Sequence, residues 1–322
     1  MIPTRDRRAI LLEALARLER QGGDVSFEVV VVDDGSSDGT SAAVGALAER
    51  TPLDLELITQ ANSGPAAARN RAVEAARAPV CLFTNDDTLA RADLVARHIR
   101  FHARNPEPEA ALLGGIVLPE EPPPTPFMRW LTEQHFDYRG IEDVANAGGG
   151  RFFTGNVSAK VELLRRAGGF DESFRGAANE DIELGLRLDA HGMRLAYDAE
   201  AVVEHCHPTD LTAAIERLRR SARWLAPLAE RHPEWPVPRR PGGRHRAKAA
   251  VLTALAALGV HTPALRRETW RFLCHEAARE GYWSAVEGAS AASPGGLRIG
   301  RRLAALAARD EAARMPAGGL GA

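Results

Sequence analysis

The run Phe27-Glu28-Val29-Val30-Val31-Val32, followed at once by Asp33-Asp34-Gly35, constrains the fold of this chain more than any other feature. β-Branched residues on both alternations describe a strand covered on both faces, and the acidic-glycine stop describes a turn at its carboxyl end. Two further short apolar runs, 53–59 and 80–84, read as strands, and helical patterns fall at 7–21, 40–50 and 64–77. Strand–helix alternation at this spacing implies right-handed crossovers and a mostly parallel sheet with helices on both faces. Ligands of such sheets lie beyond the carboxyl ends of the strands. Asp33-Asp34 and Asn85-Asp86-Asp87 sit at those ends.

Downstream, 110–118 reads as a strand and the proline-rich stretch 119–126 breaks the pattern. Residues 147–150 read as a mobile glycine loop, 151–156 as a strand and 159–167 as a helix. Asn179 is an N-cap for a helix at 180–190. Residues 195–203 form a further strand ending at Glu204-His205. Past His207 the composition shifts to helical patterns at 211–228, 248–258 and 263–278, interrupted by a Pro/Arg-rich linker at 233–243 and closed by an Ala/Arg-rich tail. The expected organisation is an α/β domain over 1–207 and a helical, Arg-rich extension over 208–322.

Bulk properties exclude several classes. A formal net charge of −2 over 322 residues gives no global field for nucleic acid. Cys81, Cys206 and Cys274 are few, odd in number and dispersed, which argues against a disulfide framework and for a reducing, cytoplasmic setting. The N-terminus lacks the apolar run of a signal peptide. No stretch approaches the ~20 apolar residues of a membrane-spanning helix. The expectation is a protein that is soluble or rests on the inner face of the cytoplasmic membrane.

Four motifs carry chemistry: Val30-Val31-Val32-Asp33-Asp34-Gly35-Ser36-Ser37-Asp38-Gly39-Thr40; Asn62-Ser63-Gly64-Pro65-Ala66-Ala67-Ala68-Arg69-Asn70; Phe83-Thr84-Asn85-Asp86-Asp87; and Gly169-Phe170-Asp171-Glu172 with Asn179-Glu180-Asp181. The first begins like an EF-hand loop, but Gly45 stands where the bidentate Glu belongs, so calcium is excluded. Zinc is excluded at His205-Cys206-His207 for want of a second ligand pair.

In order and spacing, from about Pro3 to about His207, the motifs resemble family-2 glycosyltransferases of the inverting type with the GT-A fold. The resemblance implies a nucleotide-diphosphate sugar donor, a saccharide or lipid-linked acceptor, a divalent cation (Mg²⁺ or Mn²⁺), and a place in polysaccharide or glycolipid synthesis at the cell envelope. It makes Asp34 a base-contacting residue, with Thr4 a further candidate. Arg69 either reaches the donor, where a guanidinium fork suits a diphosphate, or pairs with a nearby carboxylate. Asn85-Asp86-Asp87 resembles the metal-binding D-x-D signature with Asn at its first position. Asp87 is then the metal ligand, and Asp86 meets ribose or an outer water. His205 is a third ligand, with His207 as alternative. Asp181 is the base that takes the acceptor proton, at a helix start that favours an anion, and Glu180 orients the acceptor. Asn156 lines the acceptor side.

Two features depart from the pattern. The family opens with an apolar strand before the segment seen here as Pro3-Thr4-Arg5-Asp6-Arg7, and only Met1-Ile2 precede it. The expectation is a truncated central strand and a natural start further upstream. Beyond the resemblance, basic residues from Arg217 to Lys248 outnumber the acids among them, which suits peripheral contact with an anionic membrane or a solvated charged face. A catalytically silent member acting as a binding subunit is the alternative in kind. A transferase without a metal requirement is the milder one.

Overall fold

A computed structural model of the chain describes residues 1–22, 25–287 and 302–310. Its elements run β1 (Ile2–Thr4), α1 (Arg8–Glu19), β2 (Glu28–Asp33), α2 (Thr40–Ala48), β3 (Asp54–Thr59), α3 (Pro65–Ala75), β4 (Val80–Thr84), β5 (Thr88–Ala90), α4 (Leu94–Arg104) and β6 (Ala110–Val117). They continue with α5 (Pro126–Phe136), β7 (Asn156–Lys160), α6 (Val161–Arg166), α7 (Glu180–Ala190) and β8 (Arg194–His205), then α8 (Leu211–Ser221), α9 (Leu225–Arg231), α10 (Gly243–Ala257) and α11 (Pro263–Glu287). Residues 302–310 are also helical. Of the Ala/Arg-rich tail expected beyond 278, residues 279–287 continue α11, and 288–301 and 311–322 lie outside the described residues. The chain divides into two compact units, Met1–Pro119 with His135–His207, and Glu120–Gln134 with Pro208–Ala322.

The valine run of β2 organises the first unit. Successive side chains of a strand point to opposite faces. Val29 and Val31 accordingly pack with Leu11, Leu15 and Val44, while Val30 and Val32 pack with Ala68 and Ala72 of α3. All four valines are buried, each contributing roughly 1.5–3 kcal/mol of transfer free energy. β1, β2 and β3 pair in parallel.

The remaining strands order as β4-β7-β6-β8-β5. Here β6 and β8 are parallel, while β7 runs antiparallel between β4 and β6, and β5 antiparallel to β8. The α/β reading holds, with a sheet more mixed than alternation alone implied. Met1 joins the two sheets: its amine donates to the Leu82 carbonyl at 2.9 Å and its carbonyl accepts from Thr84 N at 3.1 Å.

Several expectations are corrected. Ile2–Thr4 forms a three-residue strand paired in parallel with β2, and Met1 before it bonds the tip of β4. The strand expected at 151–156 starts at Asn156, and Gly149–Arg151 is a 3₁₀ turn. The glycine loop is packed, not mobile. A side chain at Gly149 would meet the Gly185 carbonyl at 2.1 Å, and one at Gly185 the Gly149 carbonyl at 2.0 Å, so α7 and this turn touch backbone to backbone. Asn179 adopts φ 68° and makes no side-chain cap.

The second unit has its own core. Phe127, Trp130 and Trp270 stack with centroids 5.4–5.9 Å apart among Leu211, Leu252, Phe272 and Leu303. No helix among the described residues is long and apolar enough to cross a membrane. The three cysteines are free.

Two buried histidines on α4, His98 and His102, share the Ser158 hydroxyl at 2.8 Å each, and His98 also meets Asn156 Oδ1 at 3.1 Å. Burial pushes His98 from 6.5 down to about 4. Burial, with the Lys160 charge and His98, pushes His102 to about 3. Both are neutral in the fold, and the unfolded chain binds the extra protons below pH 6.5, so stability falls as pH drops from about 6.5 toward 4. At pH 5 each costs on the order of 2 kcal/mol. Urea unfolding at pH 7 and pH 5 should show this loss, and a His98→Gln/His102→Gln variant should show a smaller one. Equal losses in both proteins would contradict the assignment.

Candidate active site

The parallel register brings strand tips together on one edge. Thr4, the last residue of β1, pairs with Asp33, the last of β2, and Thr84 bonds to Met1. The residues just past these tips, Asp34 and Asn85-Asp86-Asp87, therefore meet.

Asp34 is buried, and the β3–α3 loop wraps it. Its Oδ1 accepts from Gln60 Nε2 (2.8 Å) and Ser63 N (2.7 Å), and its Oδ2 from Gly64 N (2.9 Å). A carboxylate has about four acceptor sites, so one direction on Oδ2 remains for a ligand. Thr4 donates to Asp86 Oδ2 at 2.9 Å rather than pointing into open space.

Asp86 and Asp87 are both buried, and sequence reasoning assigned no role to the residue that links them. Arg7 Nη1 bonds Asp86 Oδ1 at 3.2 Å and also Asp87 Oδ2, and Arg7 Nη2 lies 3.2 Å from His207 Nδ1. The signal was present in the Pro3-to-Arg7 segment, but its partners lie some 80 residues away in sequence. Burial pushes the Asp86 carboxyl up, and adjacent Asp87 adds to this against the pull of Arg7. Burial works the same way on Asp87, but His205, His207 and Arg7 overcome it and hold its carboxyl well below the usual range. The Arg7 guanidinium is in turn raised by the two carboxylates, against burial.

Pairing of β5 with β8 sets Thr88 opposite His205, and Cys206 N donates to the Asp87 carbonyl at 2.8 Å. This delivers both histidines to the aspartate: Asp87 Oδ2 lies 3.6 Å from His205 Nε2 and 3.5 Å from His207 Nδ1. Donor atoms held ~2.1 Å from one small cation lie ~3.0–3.6 Å apart, and both imidazoles lie within that range of Asp87 Oδ2, the carboxylate being the donor that suits Mg²⁺ or Mn²⁺ and the imidazoles donors commoner on softer divalent ions. As arranged, no three His, Cys, Asp or Glu side chains among the described residues surround a point a metal could take. Beside Asp87 lies the Arg7 guanidinium.

Arg69 joins this cluster to the start of α7. Its Nη1 bonds Glu180 Oε1 at 2.8 Å and its Nη2 bonds Asn85 Oδ1 at 3.1 Å, with both charged side chains at most 5% exposed. Arg69 thus makes the carboxylate pair that sequence left open beside a donor contact. Burial, and Asp181 next, push the Glu180 carboxyl up while Arg69 pulls it back. Arg69 Nε and Glu180 Oε2 are buried without a hydrogen-bond partner.

Asp181, beside Glu180, is half-buried. Its Oδ2 meets Thr154 N at 3.4 Å and Thr154 Oγ1 at 3.5 Å, and its Oδ1 accepts from Ile182 N at 2.9 Å. Thr154, which sequence reasoning passed over, is carried there because β7 pairs Asn156 with Thr84, so the residues before β7 run beside Asn85.

Asn156 is corrected. It is fully buried, and its amide donates to the Gly115 and Ala201 carbonyls at 3.0 and 2.8 Å while its oxygen meets His98. Gly114 pairs with Asp198 but Gly115 with Val202, so Ala199–Ala201 bulge from β8 and leave carbonyls unpaired. Asn156 fills that gap, against a Gly114 with no room for a side chain. It does not line an open acceptor cleft.

The model of the glycosyl transferase family 2 matches residues 1–145, and that of glycosyl transferase family group 2 matches 82–262, more than half of the chain. The chain belongs to glycosyltransferase family 2. It is 32% identical over 244 residues to validoxylamine A glucosyltransferase of Streptomyces hygroscopicus, which covers 66% of this chain and 57% of the relative. The chain thus spans little more than half the length of that relative.

Its GT-A fold is shared with two solved glycosyltransferase structures. One is a mannosyltransferase from Pyrobaculum calidifontis in complex with GDP-Man and Mn²⁺ (TM-score 0.54, 23% identity, 95% of this chain and 79% of that one). The other is S. aureus TarS 1–349 in complex with UDP (TM-score 0.51, 17% identity, 89% and 90%).

In this family-2 chain the Arg69–Glu180 pair is an interior ion pair, and removing one partner strands the other charge. Arg69→Met should lower unfolding free energy by ~3–5 kcal/mol, and Arg69→Met/Glu180→Leu should recover much of it. Denaturant melts measure both. A single variant as stable as the parent would show that the pair is not what holds α7 to α3.

Proposed function

We propose that the protein transfers a sugar from a nucleotide-diphosphate donor to an acceptor hydroxyl, with inversion at the anomeric carbon. The observation that carries this reading is the Arg69 bridge. One guanidinium touches both Asn85, next to Asp86-Asp87, and Glu180, next to Asp181. That double contact supports reading Asp86-Asp87 and Glu180-Asp181 as the diphosphate-binding and proton-accepting ends of one site.

In this scheme the nucleotide lies over Asp34 and the tips of β1 and β2. The free acceptor direction on Asp34 Oδ2 suits a base N–H, and Thr4 steadies Asp86 against ribose. Asp87 with His205 and His207 would hold the divalent cation, which when bound neutralises charge developing on the diphosphate. The acceptor oxygen attacks the anomeric carbon opposite the diphosphate. As that bond forms, the bond from carbon to diphosphate oxygen breaks, its electron pair leaves with the nucleotide, and the hydroxyl proton passes to an Asp181 oxygen. Thr154 fixes the orientation of Asp181. The unpartnered Glu180 Oε2 and Arg69 Nε offer an acceptor and a donor to sugar hydroxyls, since buried polar atoms are rarely left without partners.

A saccharide or lipid-linked acceptor, in polysaccharide or glycolipid synthesis at the cytoplasmic face of the membrane, remains the proposed setting. The basic stretch of the second unit offers less free charge than its sequence suggests. Arg219 pairs with Glu216 and Glu280, Arg240 with Glu287 and Lys248 with Glu268, whereas Arg244 and Arg246 are exposed.

Release of nucleoside diphosphate from a panel of UDP- and GDP-sugars, with Mg²⁺ or Mn²⁺ and after chelation, tests the reading. Asp181→Asn should lose ~10²–10⁴ in rate while binding donor as the parent does. Turnover at the parental rate would remove Asp181 from the reaction, and no release from any donor would favour a silent binding subunit.

A further inference from the structure

Arg7 stands where the three groups suited to a cation converge. Its guanidinium bonds Asp86 and Asp87 through one nitrogen and approaches His207 through the other, 3.2 Å from Nδ1. A lone His207 nitrogen or a lone aspartate oxygen near an arginine would be unremarkable in a protein interior. Here one cation meets both carboxylates of the pair and an imidazole, and Asp87 Oδ2 is the atom that His205 and His207 also face. A divalent ion bound to Asp87 Oδ2 and His207 Nδ1 would need the two directions that Arg7 now fills, and it would meet a like charge at bonding distance.

We propose that Arg7 is an internal counter-ion that holds the metal-binding side chains in place before the metal arrives and must leave for it to bind. This rests on the reading of Asp87, His205 and His207 as ligands. Physical reasoning supplies both halves. Two adjacent buried carboxylates repel unless a cation lies between them, so a site without a counter-ion would splay. A guanidinium bridging them keeps the oxygens aligned. The Arg7 side chain is about a third exposed, so it can swing outward on its flexible stem. Once displaced, its fork is free for diphosphate oxygens, which it matches in geometry.

Metal and nucleoside diphosphate then bind cooperatively, because the diphosphate stabilises the displaced Arg7 and the ion stabilises the vacated carboxylates. The chain lowers its affinity for free metal and reserves the site for metal that comes with nucleotide.

The test is direct binding of Mn²⁺, followed by electron paramagnetic resonance of the free ion, to the whole protein with and without UDP or GDP. The parent should bind Mn²⁺ weakly alone and markedly tighter with nucleoside diphosphate. Arg7→Met should bind Mn²⁺ alone at least ~10-fold tighter than the parent, and its gain on adding nucleotide should shrink. Its thermal midpoint should drop without metal and be restored by Mn²⁺ more than the parent's is raised. If Arg7→Met does not fold, Arg7→Lys, with one compact charge and a shorter reach, should bind Mn²⁺ with intermediate affinity.

Equal Mn²⁺ affinity in parent and in the Arg7 variants overturns the counter-ion role while leaving the metal site standing. No Mn²⁺ binding by any protein, with or without nucleotide, removes the metal site itself and the role of Arg7 with it.

Discussion

The buried contact of Arg69 with Glu180 and Asn85 is the constraint on which the arrangement of the site depends. The Arg69–Glu180 pair spans 111 residues and joins α3 to the first turn of α7, and the second Arg69 contact adds Asn85, just past β4. A charged pair in the interior loses hydration worth several kcal/mol per ion, which attraction offsets only if geometry is good and remaining donors are used. Arg69 meets that condition only in part, with two partners while its Nε and Glu180 Oε2 have none, and its helix is drawn close to the sheet by Ala66, Ala67, Ala68 and Ala72, all buried. α7 is pinned from its other side, where Gly185 and Gly149 touch at backbone distance and Gly149 N bonds Asp189 Oδ2 at 2.6 Å. Between a charge clamp at its first residue and a steric contact at its middle, the helix cannot rotate, so the direction of Asp181 is set by groups that do not themselves react.

What the sequence disclosed, and what it hid, divides along sequence separation. β2, with its run of buried valines, and the acidic stops after β2 and β4 were legible because period and punctuation are local. α7 was legible to the residue, Glu180–Ala190, although Asn179 starts it through a left-handed backbone rather than a side-chain cap. β5, at three residues, has no period to read. β7 was displaced because its identity comes from insertion between β4 and β6, a tertiary event. Asn156 misled for the same reason: a polar residue at a strand start looks like a ligand group, and only the bulge between Gly114 and Gly115 reveals what it satisfies. The first strand is only three residues long, so its pairing with β2 could not be read from its own length.

The charges around Asp87 follow one logic. Asp86 and Asp87 are adjacent, buried and both acidic, and nothing in the packing requires two carboxylates there. Such a pair is costly unless a cation is near, so its presence in a stable fold implies one at all times. Burial raises the Asp86 carboxyl, while His205, His207 and Arg7 hold that of Asp87 down. Asn85 fits the same account. A third carboxylate at that position would add charge beside Asp86 and compete with Glu180 for Arg69, whereas the neutral amide oxygen accepts from Arg69 without either effect. Asn85 in place of the first Asp of the D-x-D-like motif thus leaves Arg69 to Glu180, and on the proposed reading a cation would fall to Asp87, His205 and His207.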